Sequence, residues 1–183
     1  DIVTASTQKA ALEIINSGRE INISLLDVML PDGDGYALFS GNEVGAMLLE
    51  YIADQSIKNG IMPENPIAVK TIVTTDIVNS IGKEYGVEII DVLTGFKFIG
   101  EQIGFLESAG EEDRFVFGFE ESYGYLVGTH ARDKDAVVAS MLIAEMAAYH
   151  KNNGKTLVDA LNGIYEEYGY YYDCLENFVL KGK

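Results

Sequence analysis

Residues 67–119 read IAVKTIVTTDIVNSIGKEYGVEIIDVLTGFKFIGEQIGFLESAGEEDRFVFGF. Three short runs in this stretch are apolar or β-branched, at residues 67–73, 88–93 and 114–119. Two stretches of helical periodicity separate them, at residues 76–85 and 96–108. Strands that alternate with helices are typical of βαβ units, in which helices cover both faces of a parallel sheet. The pattern therefore predicts an α/β fold with a largely parallel sheet.

Further helices flank this central stretch. Residues 43–57 are predicted to form an amphipathic helix, and one face would carry Val44, Met47, Leu48, Tyr51 and Ile52. We expect an irregular loop at residues 120–134, then helices at 135–152 and 156–168 and an extended exit strand at 170–180. Asp76 is the expected N-cap of the helix at residues 76–85.

The N-terminal residues show a separate pattern. A strand at residues 2–5, a helix at 8–16 and a strand at 21–30 are predicted, and a turn-forming run, PDGDG at residues 31–35, ends the last of them. This run is the first candidate domain boundary. Because the chain starts with Asp1 rather than Met, we expect it to be a segment of a longer protein.

Composition excludes several classes of function. Thirteen basic residues stand against 29 acidic ones, and the net charge of −16 disfavours nucleic acid and anionic membranes as partners. Cys174 has no second cysteine to pair with, and one cysteine with two histidines does not make a zinc cluster. No apolar run approaches the roughly 20 residues of a bilayer-spanning helix. These features predict a cytoplasmic protein.

The loop after the second predicted strand carries a candidate ligand contact. Residues 93–97, LTGFK, place Lys97 in the first turn of a helix. In an open α/β sheet ligands bind at the carboxyl ends of the strands, and a cation beside free helix amides suits a sugar phosphate. The alternative is that Lys97 is a solvated surface lysine, as most lysines are.

The loop after the third predicted strand reads GFEESYG at residues 118–124 and is rich in polar groups. The carboxylate of Glu120 and the hydroxyl of Ser122 are groups that pair with neighbouring sugar hydroxyls, and glycines allow close backbone approach. The loop is therefore a candidate polyol-binding site. An acidic turn with a serine cap is the alternative.

A third cluster, HARDKD at residues 130–135, precedes a long predicted helix. It contains Arg132, a candidate contact for an anionic ligand. A charged N-cap with local ion pairs is an equally good interpretation.

Four strings in the chain resemble the α-D-phosphohexomutase family (phosphoglucomutases and phosphomannomutases), in the same order and with similar spacing. They are SGNEVG at residues 40–45, LTGFKFIG at 93–100, GFEESYG at 118–124 and RDKD at 132–135. The resemblance covers residues 39–183. It implies the end of the family's second domain at residues 39–60 and its third, sugar-binding domain at residues 61–183, with a mixed, mostly parallel sheet flanked by helices.

The resemblance also implies a function. Members of the family interconvert hexose 1-phosphates and 6-phosphates through a bisphosphate such as glucose 1,6-bisphosphate, and they require Mg²⁺. By motif, Glu120 and Ser122 would bind sugar hydroxyls, Lys97 would contact the substrate or assist proton transfer, and Arg132 would contact the substrate. Tyr123, between Ser122 and the next glycine, matches the phosphoglucomutase-like branch and favours glucose phosphate.

The family's other functional loops have no counterpart in this sequence. The phosphoserine motif, the metal loop and the phosphate-binding loop are missing, and the DGDGY run at residues 32–36 lacks the third aspartate and the arginine of the metal loop. The resemblance therefore implies a hexose-phosphate-binding fragment with no metal site. We expect it to be inactive alone and to work with the missing mutase domains.

Residues 1–38 resemble part of a response-regulator receiver domain, in which Asp27 would be the phosphoacceptor. The acidic pair that holds Mg²⁺ in such domains has no counterpart, and without it an aspartyl phosphate site should be inert. A divergent start of the second mutase domain is the alternative. Two other functions stay open: a chimaeric signalling module that uses Asp27, and a non-catalytic carbohydrate-binding domain.

Overall fold

The computed structural model describes residues 39–174, and residues 40–174 of this range belong to the compact unit Ser40–Lys183. Within these residues the chain forms five α-helices and four β-strands. They are α1 (Gly41–Lys58), β1 (Ile67–Thr71), α2 (Ile77–Tyr85), β2 (Glu88–Val92), α3 (Phe96–Ala109), β3 (Phe115–Glu120), β4 (Gly124–Leu126), α4 (Ala136–Asn152) and α5 (Leu157–Tyr168), with a 3₁₀ turn at Glu112–Arg114 before β3.

The four strands form one sheet in the order β2-β1-β3-β4. β1 lies between β2 and β3 and is parallel to both, whereas β4 runs antiparallel to β3. The predicted α/β fold with a mixed, mostly parallel sheet is confirmed. The short strand β4 was missed, because its three residues follow a tight turn inside the segment that was expected to be an irregular loop.

A register shift in the β1–β3 pair divides the aromatic residues of β3 between the two faces of the sheet. Ile67 pairs with Phe115, but Ala68 pairs with Phe117, so Val116 is an extra residue in β3. Because side chains alternate along a strand, one extra residue reverses the faces beyond it. Phe115 accordingly packs with α3, whereas Phe117 stacks on the opposite face with Phe119.

Two hydrophobic layers result. The layer beneath α3 contains Ile67, Val69, Val92, Phe96, Ile99, Ile103, Phe115 and Leu126. On the other face, α1 crosses β3 at Gly45, where an added Cβ would lie 2.2 Å from the ring of Phe119. The absence of a side chain at Gly45 therefore sets how closely α1 approaches the sheet.

Helix α1 begins earlier than the apolar spacing indicated. Ser40 caps it in a reciprocal capping box with Glu43, whose carboxylate accepts the Ser40 amide at 2.6 Å. Of the apolar residues predicted on one face of this helix, Met47, Leu48 and Tyr51 are buried, as are Ala46, Leu49 and Ala53 on neighbouring positions. The buried surface of α1 is thus wider than a single stripe.

The predicted N-cap position of Asp76 in α2 is confirmed, but its side chain makes no capping hydrogen bond and contacts the Nζ of Lys70 at 3.1 Å instead. Residues 170–174 are not in a strand, and the rest of the predicted exit strand lies outside the described residues. The elements predicted at residues 2–5, 8–16 and 21–30 also lie outside them. None of the helices in residues 39–174 has the length and apolar character needed to cross a membrane.

Candidate hexose-phosphate site

The candidate site lies at the carboxyl edge of the parallel strands. β1, β2 and β3 all end at this edge, and the loops that follow them carry most of the predicted site residues. Lys97 follows β2 and Glu120 ends β3, with β1 between them. Two strand spacings separate these loops by about 10 Å, which is the scale of a hexose phosphate.

Strand alternation places Glu120 on the same face as α3. Phe119 lies on the α1 face, since its ring packs against Gly45, and the next residue therefore points to the other face. Lys97 is in the first turn of α3, on that face. The structure thus brings Lys97 and Glu120 to the same edge and the same face of the sheet.

Glu120 is a buried carboxylate with a specific partner. Its side chain is 7% exposed, and its Oε1 lies 2.7 Å from the Nζ of Lys134, which is 53% exposed. The hydrogen bond that Lys134 donates to Glu120 is the main cause that raises the pKa of Lys134 above its ordinary value. The pair joins an anion at the sheet edge to a cation that solvent and ligands can reach.

Gly124, opposite Glu120 in β4, makes room for this carboxylate. A Cβ at Gly124 would lie 2.8 Å from both Oε1 and Cγ of Glu120. The glycine of the loop motif therefore determines where the Glu120 side chain can lie.

Ser122 is exposed in the tight turn between β3 and β4. Tyr123, the next residue, has a left-handed φ of 62°, which few non-glycine residues adopt. The turn rests on the start of α1: a Cβ on Gly41 would lie 2.0 Å from the carbonyl oxygen of Glu121, and the Tyr125 hydroxyl donates to the Gly41 carbonyl at 2.9 Å. These contacts fix the turn that carries Ser122.

Lys97 is exposed, and its Nζ lies 4.8 Å from the centre of the Phe98 ring. The N-cap of its helix is Gly95, which supplies no side-chain cap. The positive end of a helix dipole and a nearby ammonium both favour an anionic ligand. Phosphate contact by Lys97 stays a prediction.

Arg132 is engaged by the protein itself. Its guanidinium pairs with Glu107 of α3 and donates to the carbonyls of Thr129 at 2.6 Å and Ala131 at 3.1 Å. The local ion pairs weighed for this cluster are thus present. A substrate contact by Arg132 stays a prediction and would require the Glu107 pair to open.

The rest of the 130–135 cluster caps α4. His130 pairs with Asp135 at 2.9 Å, and the Asp135 carboxylate accepts the amides of Val137 and Val138. The hydrogen bond from His130 is the main cause that lowers the pKa of Asp135. This part of the cluster is therefore a structural cap.

Sequence reasoning missed two charged residues of the edge. Lys134 lies in the RDKD motif but was not among the predicted site residues, although it is the residue that contacts Glu120. Lys70 is 1% exposed at the next-to-last position of β1, and its Nζ lies 2.7 Å from Asp91. A lysine inside an otherwise apolar strand was the available signal, since lysine is almost never buried unless paired.

No set of three or more histidine, cysteine, aspartate or glutamate side chains suited to a metal comes together in residues 39–174. The described residues therefore do not fit the Mg²⁺ that the family resemblance implies. Asp27, the alternative phosphoacceptor, lies outside the described residues.

Comparisons with known proteins agree with this geometry. The family model for phosphoglucomutase/phosphomannomutase, alpha/beta/alpha domain III, matches residues 40–168. A phosphoglucomutase of Staphylococcus aureus (strain bovine RF122 / ET3-1) is 39% identical over 144 residues, and one of Staphylococcus haemolyticus (strain JCSC1435) is 35% identical over 145. Each alignment covers 79% of this chain and 25% of the relative.

Solved structures show the same fold. A crystal structure of a protein from Thermus thermophilus, assigned as a phosphomannomutase, has a TM-score of 0.56 and 25% identity, covering 75% of this chain and 28% of that one. Parafusin, a phosphoglucomutase of Paramecium in its open form, has a TM-score of 0.55 and covers 73% of this chain and 22% of its own. At 23% identity it supports the fold alone.

The chain spans about a quarter of the length of the curated relatives that it matches. The family match leaves Asp27 outside its range, so it lends no support to the signalling alternative. It covers 129 of 183 residues, from residue 40 to residue 168, and includes both candidate loops. The chain therefore belongs to the phosphoglucomutase/phosphomannomutase family, as its alpha/beta/alpha domain III.

Proposed function

We propose that this chain supplies hexose-phosphate recognition to a phosphoglucomutase or phosphomannomutase that interconverts hexose 1-phosphate and 6-phosphate. The observation that carries the proposal is the Glu120–Lys134 pair, a buried carboxylate joined at 2.7 Å to a half-exposed ammonium, with the exposed Ser122 two residues after Glu120 in the chain. A carboxylate accepts several hydrogen bonds, so one ammonium contact leaves capacity for sugar hydroxyls.

Each group has a distinct part in this proposal. Glu120 accepts hydrogen bonds from the hydroxyls of the hexose, and Ser122 donates to or accepts from a neighbouring one. Lys134 holds the carboxylate in place and can donate to a sugar oxygen. Lys97, about 10 Å away across β1, faces the phosphate. The presence of Tyr123 after Ser122 favours glucose over mannose.

The phosphoryl transfer itself belongs to the rest of the mutase in this proposal. The described residues gather no metal-binding set, so no step assigned to this chain runs through a metal. Glucose 1,6-bisphosphate is the expected intermediate of the whole enzyme. A coupled mutase assay of this chain alone, with that bisphosphate present, should show no turnover, and clear activity would contradict the division of labour.

Binding is tested by titrating glucose 1-phosphate, glucose 6-phosphate and mannose 6-phosphate into the chain, followed by amide chemical shifts. Glu120→Ala and Lys97→Ala should each weaken binding by about tenfold or more, since each removes a charge-assisted hydrogen bond. Glu64→Ala is the matched control, because Glu64 is exposed and precedes the amino end of β1, away from the carboxyl edge of the sheet. Equal affinity in the unmodified chain and in the three variants would show that these loops do not form the binding site.

A further inference from the structure

A continuous set of polar contacts crosses the carboxyl edge of the three parallel strands. Asp91 of β2 pairs with the Nζ of Lys70 at 2.7 Å, and the same Nζ donates to the Thr74 carbonyl at 3.2 Å. The hydroxyl of Thr74 lies 2.7 Å from that of Thr71. Both hydroxyls contact Oε2 of Glu121, at 3.2 Å from Thr71 and 3.5 Å from Thr74. The set links the strand before Lys97 to the loop after β3.

The two hydroxyls are deeply buried, with Thr71 at 0% and Thr74 at 4% exposure. When one hydroxyl donates its proton to the other, the proton of the accepting hydroxyl needs an acceptor elsewhere. A buried hydroxyl proton without an acceptor is costly, and the Glu121 carboxylate meets that need for either direction of the pair. Glu121 is therefore directed beneath the turn and into the protein.

This anchoring separates the roles of two adjacent glutamates. Glu120 contacts Lys134, whereas Glu121 contacts Thr71, the last residue of β1, and Thr74 in the loop after it. Ser122 comes directly after the anchored residue, and the Glu121 carbonyl packs against Gly41 at the start of α1. Both ends of Glu121, its carboxylate and its carbonyl, are thus fixed within the protein.

We propose that Glu121 is a positioning residue, which holds the β3–β4 turn through Thr71 and Thr74 so that Glu120 and Ser122 are presented to the sugar. The inference rests on the proposed function for its ligand. It goes beyond that proposal by giving Glu121, which makes no sugar contact in either, the role of holding the turn.

The test uses the full chain and two independent measurements, amide hydrogen exchange at residues 120–124 and titration with glucose 1-phosphate. Glu121→Ala should speed exchange in the turn and weaken binding, each by about tenfold, because the acceptor for the remaining buried hydroxyl proton is lost. Glu121→Gln keeps an acceptor oxygen and should stay within about threefold of the unmodified chain in both. Glu64→Ala is the control.

Thr71→Val keeps the shape of the side chain and removes a hydroxyl, so it should reproduce part of the effect. In the double variant with Glu121→Ala, Thr71→Val should increase the exchange rate little further, since both substitutions remove the same contact. If Glu121→Ala does not fold, as judged by circular dichroism, Thr71→Val alone carries the test. Unchanged amide exchange at residues 120–124 would overturn the proposal, whether in Glu121→Ala or, if that variant does not fold, in Thr71→Val.

The two proposals fail in different ways. If Glu121→Gln binds as poorly as Glu121→Ala while exchange is preserved, the charge acts on the ligand directly and the positioning role is wrong. If the unmodified chain does not bind glucose 1-phosphate but exchange changes as expected, the turn is anchored as inferred and hexose-phosphate binding is wrong.

Discussion

Lys134 and Glu120 are 14 residues apart in sequence, yet the Nζ of one lies 2.7 Å from Oε1 of the other. The contact brings the segment before α4 to the end of β3. It gives a buried carboxylate of the candidate site its counter-ion.

Lys134→Met should destabilise the fold by about 1 kcal/mol at neutral pH, because it leaves the Glu120 carboxylate buried without its cation. The pKa of Lys134 is raised in the folded state, so this contribution is complete at neutral pH and is lost only as pH rises through that pKa. Urea unfolding measures the change. Lys83→Met, at an exposed lysine of α2, should change stability by less than about 0.5 kcal/mol.

Gly124→Ala should displace the Glu120 side chain, since the new Cβ would lie 2.8 Å from its Oε1. We expect a loss of about 1–3 kcal/mol in stability and weaker binding of hexose phosphate. Gly104→Ala is the matched control, because no atom lies near its Cβ and alanine favours a helix by about 0.5–1 kcal/mol. Thermal unfolding should therefore move in opposite directions for the two variants.

Gly45→Ala tests the close approach of α1 to the sheet. Its Cβ would lie 2.2 Å from the Phe119 ring, which is buried and stacked on Phe117 and so has little room to move. The expected loss in the free energy of unfolding is about 1–3 kcal/mol. Gly163→Ala in α5, with open space around it, should be neutral or stabilising, and a similar loss in both variants would contradict the steric explanation.

Glu50 should make stability depend on pH. Its pKa is raised from 4.5 to about 7, mainly by burial and then by repulsion from Asp54 and Glu167. Attraction to Lys155 and Lys58 opposes this shift. Between pH 4.5 and about 7 Glu50 is therefore protonated in the folded state and ionised in the unfolded state. The free energy of unfolding falls as pH rises through this window.

Glu50→Gln removes that dependence. The variant should be more stable than the unmodified chain by about 1–2 kcal/mol near pH 8 and nearly equal to it near pH 4.5. Melting temperatures across this range provide the measurement, with Glu64→Gln as the exposed control. A constant difference between the two proteins at every pH would show that Glu50 does not titrate in this window.

Much of the fold could be predicted because its strands and helices differ clearly in period. The apolar run that starts at Ile67 and the helical spacing after Phe96 each identify an element directly. β4 could not be found this way, since Gly124, Tyr125 and Leu126 are too few to show a period and their pairing with β3 depends on a turn.

The candidate site was harder to predict than the fold. The sequence shows Arg132 and Lys134 two residues apart, and no local pattern tells which of them reaches Glu120. The backbone between α3 and α4 decides this, by placing the Arg132 side chain against Glu107. The division of labour between Glu120 and Glu121 likewise depends on contacts with distant residues, Lys134 for one and Thr71 for the other.

The extra residue at Val116 has a consequence for how this strand can change in evolution. The orientation of Glu120 depends on whether the number of residues between Val116 and the carboxylate is odd or even, because each step along a strand reverses the side chain. A single-residue deletion in β3 would turn the carboxylate away from Lys134 even if every functional residue were retained. The length of β3 is therefore fixed by the site, and length changes should be confined to loops that carry no site residue, such as residues 59–66.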